Sequence, residues 1–104
     1  MLRKLNDENI DWLFKAILTL KTVDECYDFF EDVCTVEEVQ GIAKRMFAAK
    51  LLKDGALYSE ITEQTGLSTA TISRVNRSMK YGGGGYEMVF DRLGWKFNPK
   101  KGNG

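Results

Sequence analysis

Between Tyr58 and Lys80 two short segments of helical periodicity are divided at Thr65-Gly66-Leu67-Ser68. Ile61, Leu67, Ile72 and Val75 recur at inward positions, Gly66 sits where a backbone must turn left-handed, and Ser68 stands where a helix needs a cap. Thr69, Ala70, Thr71, Ser73, Asn76 and Arg77 are then left for the outer face of the second segment. Hydroxyls and small methyls approach base edges closely, asparagine pairs bidentately with adenine, and arginine takes a guanine or a phosphate. Two short helices joined by a glycine turn, the second with a small polar outer face, suit the major groove of DNA. The candidate DNA-contacting set read from these residues is Thr69, Ala70, Thr71, Ser73, Asn76 and Arg77, with Lys80 adding a further base. The plainer alternative is an ordinary helical hairpin with an idle polar surface. The coincidence of turn glycine, cap and four locking positions favours groove reading.

Charge points the same way once its distribution is considered. The 104 residues carry 15 basic and 15 acidic side chains, so the total announces no partner. From Gly66 to Tyr86, however, Arg74, Arg77 and Lys80 occur without a single acid, while acids crowd the first forty residues. Other chemistries are disfavoured. The chain has no histidine, which removes the commonest general base and metal ligand, so no catalytic residue and no metal ligand is assigned and an enzyme is not expected. Gly82-Gly83-Gly84-Gly85 is followed by no Lys-Ser or Lys-Thr, and reads as a flexible connector rather than a phosphate cradle. Cys26 and Cys34 read as buried, reduced thiols. No apolar run approaches the roughly 20 residues that span a bilayer and no signal-peptide pattern is seen, so the expected location is the cytoplasm.

The elements that must position this site read as all-α, about six helices in one domain over residues 1–94, with 95–104 a flexible basic tail. Pro99 is the only proline, and glycines are sparse before Gly82. Asn6 is placed to cap a first helix carrying Ile10, Leu13, Phe14, Ile17 and Leu18. Thr22-Val23-Asp24-Glu25 and Thr35-Val36-Glu37-Glu38 each have capping-box spacing, and the second opens the longest periodic pattern, which Asp54-Gly55 ends. The glycine run ends the second short segment and leaves a last helix, Tyr86 to Leu93, loosely tethered. Trp12, Phe14, Phe29, Phe30, Phe47, Phe90 and Trp95 add more bulky apolar surface than thin helices cover, so a homodimer is expected.

The segment Tyr58 to Lys80, above all Thr65-Gly66-Leu67-Ser68-Thr69-Ala70-Thr71-Ile72-Ser73-Arg74, resembles the helix-turn-helix of the tryptophan repressor superfamily. The stretch from Cys26-Tyr27-Asp28-Phe29-Phe30 through Cys34-Thr35-Val36-Glu37-Glu38 is similar to its YerC/YecD branch of bacterial regulators. That resemblance covers about residues 5–93 and implies an intertwined, all-helical homodimer whose two helix-turn-helix units, near residues 58–80, face successive major grooves, with Ser68, Thr69, Ala70, Thr71 and Ser73 turned toward the DNA. It also implies an effector site for L-tryptophan or another small molecule, with Thr35, Arg45, Arg74 and Ser78 at the matching positions. Val75 stands where the tryptophan repressor has a glycine beside the indole, so an isopropyl group could fill that slot. Ser59 and Thr62 replace basic residues of the repressor, which implies a smaller phosphate contribution. The expectation is a sequence-specific transcriptional regulator, a repressor, on a double-stranded operator. Its rival is a helical protein-interaction module that keeps the helix-turn-helix shape without reading DNA.

Overall fold

The structure is a computed structural model that describes residues 1–97. Six α-helices follow a short 3-10 turn, Leu2–Leu5, and no strand occurs among the described residues. In chain order they are α1 (Glu8–Ile17), α2 (Val23–Val33), α3 (Val36–Lys53), α4 (Tyr58–Thr65), α5 (Thr69–Tyr81) and α6 (Gly85–Leu93). None is long and apolar enough to cross a membrane. Within the span expected to be a single domain the chain divides into two compact units, Met1–Val36 and the segment from Glu37 onward.

The first unit holds α1 and α2, whose starts are set by side-chain caps. Asp7, rather than the expected Asn6, caps α1: its carboxylate accepts the Asn9 N–H at 2.8 Å. Asn6 instead ends the preceding turn in a left-handed conformation, φ 48°, which asparagine tolerates better than most residues. Thr22 Oγ1 accepts the Glu25 N–H at 3.0 Å, as the capping-box spacing predicts. Glu25 reaches one residue further back than expected and accepts from the Lys21 N–H at 2.8 Å. No side chain of this unit is fully buried. Cys26 is exposed and Cys34 half-buried, which corrects the expected burial of both thiols: two thin helices do not enclose them.

The second unit carries the core. Ala48 of α3, Ile61 of α4 and Ile72 of α5 are fully buried in one cluster, with Leu51, Leu52, Tyr58 and Leu67 packed around it. Ala49 of α3, Val75 of α5 and Phe90 of α6 form a second cluster, lined by Met46, Met79, Tyr86 and Phe97. Two adjacent alanines on α3 thus face two different clusters. Where α3 ends, Gly55 adopts φ 85°, the Gly55 N–H donates to Leu52 O and the Ala56 N–H to Leu51 O, both at 3.0 Å. This double closure satisfies two carbonyls that a helix end leaves open.

The last helix is held more firmly than the glycine run predicts. Phe90 is 1% exposed, and the Lys53 ammonium of α3 pairs with the Glu87 carboxylate of α6. Trp95 and Phe97, which the sequence places in a flexible tail, lie against Phe90 with ring centroids 5.0 and 5.4 Å away. The rest of that tail, residues 98–104, lies outside the described residues.

Candidate nucleic-acid interface

The α4–turn–α5 element is built from local hydrogen bonds and four locking side chains. Glu60 Oε1 accepts the Leu57 N–H at 2.8 Å and closes the start of α4. At its other end the Gly66 N–H donates to Thr62 O at 2.8 Å, and Gly66 takes φ 77°, the left-handed conformation that its lack of a Cβ permits. Thr65 ties the turn on both sides. Its buried hydroxyl donates to Ile61 O at 2.7 Å and accepts the Leu67 N–H at 3.1 Å. Ser68 then caps α5, accepting the Thr71 N–H at 3.2 Å.

These constraints present the predicted face of α5. Ile72 and Val75 are buried, whereas Thr69, Ala70, Ser73, Arg74, Arg77, Ser78 and Lys80 are exposed, and Thr71 and Asn76 are half-buried. All four expected locking residues face inward, Leu67 being partly covered. Ser68 Oγ donates to Thr71 Oγ1 at 3.1 Å, so the free hydroxyl proton of this pair belongs to Thr71. Ser59 is exposed on α4, but the Thr62 Oγ1 is buried without a hydrogen-bond partner and offers nothing to a phosphate.

Sequence reasoning missed two residues here. Thr65 reads as punctuation, although a threonine one position before a turn glycine is placed to bond back to a carbonyl one turn earlier. Tyr81, 80% exposed, extends the Arg77 side of α5 by a further turn.

The residues matched to an effector site lie on several elements. Arg45 on α3 is exposed and approaches Gly41, where an added Cβ would meet its guanidinium at 3.7 Å. Arg74 and Ser78 are exposed one turn apart on α5, and Thr35 is exposed just before α3. The Val75 isopropyl is packed with Ala49 and Phe90. An open cavity of about 310 Å³ in the first unit, lined by Thr19, Leu20, Glu25, Asp28, Phe29 and Asp32, shares no residue with this set. Among the described residues no cluster of three or more acids and cysteines is arranged to hold a metal ion.

Comparison with known proteins places this arrangement among relatives. The family model described as Trp repressor protein matches residues 8–94. An uncharacterized protein of Bacillus subtilis, YerC, is 49% identical over 90 residues, 86% of each chain. A solved TrpR-like protein from Eubacterium eligens superposes with a TM-score of 0.84 at 54% identity, covering 88% of this chain and 95% of that one. A solved structure described as a candidate Trp repressor, from Staphylococcus aureus, gives a TM-score of 0.88 at 46% identity over 94% and 98% of the two chains.

Proposed function

The chain belongs to the Trp repressor family, and from that premise we propose that it is a sequence-specific transcriptional repressor that reads the major groove of operator DNA as a homodimer. One observation carries this: the small polar face of α5 stands exposed on a helix whose opposite face is locked by Ile72 and Val75. In this reading Thr69, Ala70 and Ser73 approach base edges, Thr71 donates its free hydroxyl proton, and Asn76 and Arg77 discriminate adenine and guanine. Lys80 neutralises phosphate, and Ser68 holds the start of the helix where its backbone amides meet the strand. Two subunits give a palindromic operator with half-sites one turn of DNA apart.

An effector remains part of the proposal. Arg45, Arg74 and Ser78, all in the second unit, supply two guanidinium groups and a hydroxyl, which suit a small carboxylate. Val75 stands where the resemblance puts a glycine beside an indole, and its isopropyl packs with Ala49 and Phe90, so the ligand proposed is not L-tryptophan.

The decisive experiment is fluorescence anisotropy with selected genomic fragments at low and high salt. Preferred fragments bind tightly, affinity falls as salt rises, and Arg77→Ala costs about 1–3 kcal/mol on the preferred fragment alone. Salt-sensitive binding with no preference among fragments would leave a generic phosphate attraction and favour the rival interaction module.

A further inference from the structure

Phe90 joins three helices. Its ring is 1% exposed and packs with Ala49 of α3 and Val75 of α5. The segment after α6 closes the outer side. Gly94 adopts φ 71°, its N–H donates to Asp91 O at 3.0 Å, and the Trp95 N–H donates to Phe90 O at 3.2 Å. This closure reverses the chain and lays the Trp95 indole over the Phe90 ring, stacked at 5.0 Å and 25°. Phe97 approaches the same ring at 5.4 Å. From α3, Lys50 Nζ lies 5.8 Å from the Trp95 ring centroid and Lys53 Nζ 5.2 Å from that of Phe97. Both ammonium groups are oriented by carboxylates, Lys50 by Asp54 at 3.3 Å and Lys53 by Glu87.

We propose that Trp95 and Phe97, gripped by Lys50 and Lys53, form a clasp that fixes the position of α5 and so serve as positioning residues for DNA reading. The role in reading rests on the function proposed above; the mechanical role does not. Val75 lies between Arg74 and Asn76 on α5, and its inward contact is the ring that the clasp covers. Stacked rings and a cation over a ring face both hold a preferred geometry. Removing them opens Phe90 to water, loosens α6 and unfixes the ring against which Val75 sets α5. A recognition helix that samples several positions must be ordered on the duplex, and that ordering lowers affinity.

The test uses the full chain and two readouts, amide hydrogen exchange of α5 without DNA and anisotropy on the preferred fragment. The double variant Trp95→Ala, Phe97→Ala is expected to keep its helix content and oligomeric state while α5 amides exchange about tenfold faster and the fragment binds about tenfold more weakly, with salt dependence unchanged. Trp95→Phe restores most of both. If the double variant loses helix content, Trp95→Leu carries the test through the same readouts. Unchanged α5 protection overturns the clasp. Faster exchange with unchanged affinity overturns its role in reading. A wild-type chain without fragment preference would sink the DNA function, and α5 exchange would still decide whether the clasp fixes that helix.

Discussion

The hydroxyl of Thr65 donates to Ile61 O in a buried bond and accepts from the Leu67 N–H in a partly buried one. Valine has nearly the same shape and neither capacity. Thr65→Val therefore leaves two backbone groups without this partner in the turn that aims α5, and is expected to lower the free energy of unfolding by about 1–3 kcal/mol in urea denaturation. Thr65→Ser should recover most of the loss. Val75 decides a question of ligand at the same scale. Its isopropyl is enclosed by Ala49 and Phe90, so calorimetric titration of L-tryptophan at millimolar concentration is expected to give no heat of binding. A clear saturable heat would restore the corepressor reading and show that Arg45 and Arg74 hold the amino acid despite that side chain.

At the scale of elements, the glycine run contains positions under unequal constraint. A Cβ on Gly82 would lie 2.4 Å from Ser78 O, a backbone atom of the last turn of α5 that cannot step aside without opening that turn. Gly83 has nothing within 4 Å and no positive φ. Gly82→Ala is accordingly expected to destabilise the chain and lower its thermal midpoint, whereas Gly83→Ala should raise stability by about 0.4–1 kcal/mol by restricting the unfolded chain. Equal effects would contradict this placement of the run. Sequence alone distinguishes neither glycine from the other, because the crowding arises from the path taken by α5. The helix starts are more legible. The Thr22 cap on Glu25 and the Ser68 cap on Thr71 appear as their spacing predicts, since a cap is a bond between near neighbours. The exchange of Asn6 for Asp7 as the first cap is a contest between two adjacent capping residues, settled by which of them adopts the left-handed conformation.

For the molecule as a whole the exposed apolar surface argues for a partner subunit. Trp12 is 73% exposed and Leu18 83%, and Val23, Tyr27 and Val33 are exposed as well. Large apolar side chains at this density are unusual on a monomer, and a second copy is the proposed cover. Sedimentation equilibrium at micromolar concentration should give twice the mass of the chain, and Trp12→Glu should shift the distribution toward monomer. A monomeric wild-type chain would remove the paired half-sites on which the operator proposal depends. The sequence by itself determined what near neighbours decide: an all-helical chain, the turn glycine, the caps, and the polar outer face of α5, because caps and a 3.6-residue period are local. Only the tertiary structure decided that Trp95 and Phe97 close over Phe90 and that α6 is fastened to α3 by Lys53 and Glu87, 34 positions apart. Such contacts join residues whose meeting depends on how the intervening helices pack, and no local pattern in the chain encodes that meeting.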